Sequence, residues 1–167
     1  EMVRSDWSSD VCSSDLWESF HIGREALTQF HQPGAHSIAV NRVTGAGADP
    51  TQILGTLKAN GTVMVLDRNG VIFGRGSVVD VGGIIASTGS IDTDRFMSGA
   101  PQVEITDINP GGVIVNEGTI TVADAGLAAF VAPTIVNAGI IRAKAGRVEL
   151  AAGTRATLDL YGDGLVE

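Results

Sequence analysis

The 167-residue sequence has one cysteine, few aromatics (5 %), little charge (18 %) and no long apolar run. Each shortage excludes something. One cysteine cannot build a disulfide framework or a cysteine-rich metal site. No run approaches the ~18 apolar residues of a helical membrane span. The formal net charge of −8, with Lys and Arg dispersed, argues against nucleic-acid binding. Neither GxGxxG opening a helix nor a Gly-Lys-Ser/Thr phosphate loop occurs, and Gly45 and Gly47 fall in a plain small-residue loop, TGAGADP. No cofactor is implied. Gly-x-Ser-x-Gly, HExxH and any Cys-His pairing are absent as well. The chain is nonetheless expected to fold, because 44 % of it is apolar.

The first sixteen residues, EMVRSDWSSDVCSSDL, stand apart. They are rich in Ser and Asp, follow no strand or helix period, and DWSSDVCSSDL reads like a translated sequencing adapter. Residues 1–16 are therefore set aside as a non-native or disordered tail, and residues 17–167 as one domain. The tail carries the only cysteine, Cys12. It also carries four acids and one base, so without it the formal charge falls from −8 to −5. No charged-apolar-small leader is present. A foreign start would have replaced one, so its absence does not place the chain in the cytoplasm.

What the chain has in quantity is glycine, 22 residues, set among short β-branched runs. The most informative stretch is ANGTVMVLDRNGVIFGRG, residues 59–76. It holds Asn60-Gly61 and Asn69-Gly70, the pair most prone to positive φ, each expected to turn the chain sharply. Apolar runs of three to five residues follow through residue 88, and no 3.6-residue period lasts ten residues, so helices are not expected. REALTQF is broken at once by Gln32-Pro33-Gly34 and reads as strand around a turn. His21, His31 and His36 lack ligand-spaced partners. Residues 90–110 are more polar and read as an excursion. Asp92 and Asp94 there fit neither calcium-loop pattern.

Further on a repeat emerges. Asn116-Glu-Gly-Thr-Ile returns as Asn137-Ala-Gly-Ile-Ile after 21 residues, and Gly126-Leu-Ala-Ala returns loosely at Gly146 after 20. A period near 20 built from short β runs signals a solenoid. The expectation is an all-β, parallel β-helix of roughly five to seven coils. Its N-terminal end is capped, Gly and Asn occupy its left-handed turn positions, and the Asn-Gly pairs leave room for some antiparallel hairpin strands. The residues at the C-terminus show no cap, which reads as a fragment of a longer chain.

The blocks at residues 20–45 (FHIGREALTQFHQPGAHSIAVNRVTG) and 53–88, the Asn-x-Gly units and RVELAAG at 147–153 together resemble one family. It is the haemagglutination-activity, or TPS, domain of filamentous-haemagglutinin-type two-partner secretion exoproteins. The resemblance implies a right-handed β-helix and a non-enzymatic secretion-recognition role. It implies a partner, an outer-membrane β-barrel transporter that engages the chain, unfolded or nearly so, through periplasmic domains. It also implies secretion through the periplasm to the surface or surroundings of a Gram-negative bacterium, at the head of an adhesin, haemolysin or contact-dependent toxin, and a monomeric state. The family's Asn-Pro-Asn-Gly-Ile signature reads here Asp67-Arg68-Asn69-Gly70-Val71. Asn69 and Gly70 are kept, while Asp67 and Arg68 depart. Together with Asn60 and Gly61, these residues are the candidate turn and transporter-recognition site. The rival readings are a β-helical polysaccharide-active enzyme and a plain adhesive solenoid. The enzyme needs clustered carboxylates, whereas Asp67, Asp80, Asp124 and Glu149 fall on different repeats.

Overall fold

A computed structural model describes residues 2–4 and 12–161, and its strands wind into a right-handed parallel β-helix. Three sheets run along the stack. The first pairs β1 (Met2–Arg4), β3 (Leu27–Phe30), β6 (Thr56–Ala59), β9 (Val78–Val81), β14 (Thr119–Val122) and β17 (Ile140–Ala143). The second pairs β2 (Cys12–Trp17), β4 (Ile38–Val43), β7 (Thr62–Leu66), β10 (Gly83–Ser87), β15 (Leu127–Val131) and β18 (Arg147–Ala151). The third pairs β5 (Thr51–Ile53), β8 (Gly70–Phe73), β13 (Val113–Asn116) and β16 (Thr134–Asn137). Six rungs at strand spacing make a stack of about 24 Å.

The register explains the sequence period. Ile114 pairs with Ile135 and Asn116 with Asn137, so each residue sits on its equivalent one coil earlier. Identical inward positions then form apolar columns: Leu57, Val79, Ile120 and Ile141 in the first sheet, and Val71, Ile114 and Ile135 in the third. Phe73 and Phe130 stack inside at 5.6 Å. Toward the N-terminal end Trp17, Phe20 and Phe30 make an aromatic plug, with Trp17 edge-on to Phe20 at 5.4 Å. At the other end Val148 and Leu150 continue the inward columns of Ala128 and Phe130, yet remain 47 % and 48 % exposed.

The excursion forms a second layer. It holds β11 (Ser90–Ile91), the five-residue helix α1 (Thr93–Met97) and β12 (Gln102–Thr106). Asp92 caps α1 by accepting from the Arg95 N–H at 3.0 Å. β12 is flanked by two antiparallel neighbours, β11 and the late strand β19 (Ala156–Asp159). This small sheet covers the outer face of the second sheet. Val40, Met64, Ile85 and Ala129 line up there beneath Ile91, Phe96, Val103, Ile105 and Leu158. The second sheet is therefore apolar on both faces, which is why its strands read as unbroken hydrophobic runs.

Two expectations need correction. Residues 1–16 were set aside, but Met2–Arg4 and Cys12–Trp17 pair as parallel strands with β3 and β4. The physical reason is that a sheet edge binds backbone, and any extended segment supplies the donors and acceptors. The side chains fit less well: Leu16 is 71 % exposed and the buried Ser13 hydroxyl has no partner. Residues 5–11 lie outside the described residues. Second, Asn and Gly do not monopolise the left-handed turns. Ala125 (φ 61°) and Ala145 (φ 50°) hold equivalent left-handed positions, and neither Asn60 nor Gly61 has positive φ.

Candidate functional site

The two Asn-Gly pairs do different work. Asn60 lies between β6 and β7, where its side chain imitates a strand. Its Oδ1 accepts from the Gln32 N–H at 2.7 Å, and its Nδ2 donates to the Gln32 carbonyl at 2.8 Å. The buried Gln32 side chain answers. Its Oε1 accepts from the Gly61 N–H at 2.8 Å, while its Nε2 donates to the carbonyls of Ser37 and Thr62. Gly61 is required by close approach rather than by φ, because a Cβ there would run into the Ser37 carbonyl.

The second pair does turn the chain. Gly70 has φ +125°, and its N–H donates to the Asp67 carbonyl at 3.0 Å. A Cβ on Gly70 would also strike the carbonyl of Val113 in the next coil. Asp67 is 2 % exposed. One of its carboxylate oxygens takes both the N–H and the hydroxyl of Thr51, at 3.0 and 2.8 Å, and the other takes the Asn69 N–H at 2.9 Å. A carboxylate with three donors is well satisfied without a cationic partner. Arg68 points to solvent, and its carbonyl accepts from Asn109 Nδ2 at 2.6 Å. Asn69 Nδ2 donates to the Gly47 carbonyl at 2.8 Å. Val71 is fully buried in its inward column.

The turn thus clasps three separate parts of the chain: the loop at 44–50 through Gly47, the start of β5 through Thr51, and the exit from the excursion through Asn109. Between the loop and the turn lies an open polar cavity of 420 Å³. His21 lines a smaller neighbouring cavity of 100 Å³, with Nδ1 accepting from the Gln52 N–H at 3.0 Å, a structural tie.

Thr51 and Asn109 were not singled out in the sequence, and Gly47 and Gln32 were read there only as parts of a loop and a turn. Only Asn109 carried a readable signal. Asn109-Pro110-Gly111-Gly112 is a turn sequence, and it stacks one coil above the first turn through the pairing of Gly70 with Val113. The other acids disperse. Asp124 meets Lys144 at 3.8 Å on the surface, Glu149 meets Arg147 at 3.5 Å, and Asp80 faces outward between Lys58 and Thr121. Among the described residues no cluster of His, Cys, Asp and Glu could hold a metal ion.

The TPS secretion domain model matches residues 9–165. The chain belongs to this family. It is the secretion domain of a two-partner secretion exoprotein, a class that passes through the periplasm to the surface or surroundings of Gram-negative bacteria. A solved relative, the HMW1 secretion domain from Haemophilus influenzae, superposes with a TM-score of 0.82 at 28 % identity, covering 92 % of this chain and 41 % of that one. Two Haemophilus influenzae heme/hemopexin-binding proteins are 38 % and 36 % identical over 62 % and 66 % of this chain. The chain spans 11 % of the length of each.

Proposed function

We propose that residues 60–71 carry the signal by which the outer-membrane transporter takes up this TPS domain, and that the signal is read through the transporter's periplasmic domains before the domain folds. The observation that carries this reading is the burial of Asp67 with both of its carboxylate oxygens already hydrogen-bonded inside the fold. A partner that reads the Asp67, Asn69 and Val71 side chains in the native state would have to displace Thr51 and Gly47 and open the inward column, and Arg68 alone faces solvent. An unfolded chain offers the whole stretch at once. Folding then withdraws the signal, so the transporter releases a domain it can no longer hold. Coils stack sequentially, and each rung templates the next. The stacked Asn109-Pro110 turn lies beside the first and belongs to the same signal.

The domain acts without catalysis, since Asp67 and Asp124 lie at different turns and Asp80 and Glu149 on different sheets. It is monomeric, and it stands at the head of a longer exoprotein. Exposed Val148 and Leu150 offer the inward surface on which a further coil would seat. The passenger is an adhesin, haemolysin or toxin, or a heme/hemopexin binder like the two curated relatives. The experiment is a pull-down of the chain by the transporter's isolated periplasmic domains, with the chain either freshly diluted from urea or already folded. Capture of the unfolded form alone, weakened by Asn69→Ala, supports the reading. Equal capture of the folded form contradicts it.

A further inference from the structure

The two Asn-Gly pairs have a chemistry that the secretion role does not use. Asparagine followed by glycine is the pairing most open to intramolecular attack, because glycine puts no side chain in the way of its own nitrogen. The Gly N–H gives up its proton to solvent base, and the nitrogen attacks the Asn Cγ. The bond from Cγ to the side-chain amide nitrogen breaks and ammonia leaves. Water then opens the five-membered imide at either carbonyl, leaving aspartate or its β-linked isomer. The balance is one amide plus water giving one carboxyl plus ammonia, with no oxidant or reductant.

We propose that Asn69 is a self-modification site of the folded domain, and that Gln32 blocks the same reaction at Asn60. At the first pair one residue holds both reactants. Gln32 fixes Asn60 at Oδ1 and Nδ2 through its backbone, and it fixes the attacking Gly61 nitrogen through its own Oε1. The imide cannot form until three hydrogen bonds to Gln32 open together. At the second pair Asp67 holds both backbone N–H groups, that of Asn69 on its carboxylate and that of Gly70 on its carbonyl, but it does not hold the Asn69 side chain. The Asn69 side chain makes one bond, from Nδ2 to the carbonyl of Gly47 in an exposed loop, while Gly70 N–H bonds separately to the Asp67 carbonyl. Loss of one solvent-facing contact frees the Asn69 amide.

The product has a structural effect. The β-linked isomer adds a methylene to the backbone of a tight turn. The aspartate product replaces the Nδ2 donor with a carboxylate facing the Gly47 carbonyl, and in the isomer Cγ joins the backbone, so either way the Nδ2 donor is lost. The loop at 44–50 loses its tie, and a negative charge appears beside Asp67. The folded domain therefore ages at one defined point, while the unfolded chain is vulnerable at both.

The test follows both sites by mass spectrometry of proteolytic fragments and enzymatic isoaspartate labelling. The full chain is held in warm, mildly alkaline buffer, either folded or in urea. In the folded chain conversion proceeds at Asn69 and is slower by about tenfold or more at Asn60, as local opening must precede it. In urea the two rates converge. Gln32→Ala raises the rate at Asn60 toward that at Asn69 while circular dichroism still shows the β-helix. Should that variant unfold, the comparison of folded and urea-held wild type decides. Equal rates at the two sites in the folded chain overturn the proposal, as does a folded chain that converts at neither.

Discussion

Thr51 gives both its backbone N–H and its hydroxyl to one oxygen of Asp67, at 3.0 and 2.8 Å, across 16 residues of sequence. Both residues are buried. This pair ties the start of β5 to the turn that opens β8, its neighbour in the third sheet, and so sets the spacing of the first complete coils. Asp67→Ala leaves two Thr51 donors without an acceptor, a loss of about 2–6 kcal/mol at ~1–3 kcal/mol per stranded group. Thermal melting should show it as a clear drop. Asp67→Asn, which keeps one acceptor oxygen, should recover part of that loss.

The Gly70 turn admits no side chain. Gly70→Val adds strain of about 1–3 kcal/mol at φ +125° and a clash with the Val113 carbonyl. Asn69→Pro deletes the N–H that Asp67 accepts at 2.9 Å. Folding and secretion are expected to fail together in both variants. Wild-type melting and wild-type export in either would contradict this account of the turn.

Leu158 closes the outer layer. It is fully buried in β19, opposite Val103 of β12. Leu158→Ala should cost about 2–5 kcal/mol. Hydrogen exchange should show β11, α1 and β12 losing protection well before the first and third sheets. Uniform loss across all sheets would mean that the outer layer and the helix melt as one unit.

Cys12 is buried, and burial pushes its thiol above the ordinary value of 9.0. A raised pKa keeps it protonated, and only the thiolate is nucleophilic. A thiol reagent at neutral pH should therefore label Cys12 slowly in the folded chain and quickly in urea. Because the folded pKa exceeds the unfolded one, the stability that this thiol contributes is full below pH 9.0 and is lost as pH rises through the folded value. Rapid labelling without denaturant would show that Cys12–Trp17 is not held against β4.

The solenoid was legible because stacking repeats itself in sequence: Asn116 and Asn137 lie 21 residues apart, and they are paired neighbours with Asn116 Nδ2 donating to Asn137 Oδ1 at 2.9 Å. The excursion was legible because its polarity breaks the run of short apolar strands. The partners of the candidate site were not. Nothing local to Thr51 or Gln32 says that it meets Asp67 or Asn60, because those contacts depend on the number of residues in each coil. Gly61 was misread because a glycine that avoids a neighbouring carbonyl and a glycine that supplies positive φ look the same in sequence. Ala125 and Ala145 were hidden for the opposite reason, since alanine gives no sign of a left-handed backbone. Cys12–Trp17 was hidden because edge pairing is a backbone affair, to which its Ser and Asp side chains add little.

The most direct test of the central claim is export. The full chain would be placed behind a signal peptide in a Gram-negative host, with and without a cognate two-partner transporter, and its amount in the medium measured. The account predicts folded domain in the medium only when the transporter is present, with Asn69→Ala and Gly70→Val lowering the yield. Equal release without the transporter, or retention of a folded β-helix in the periplasm in its presence, would contradict it.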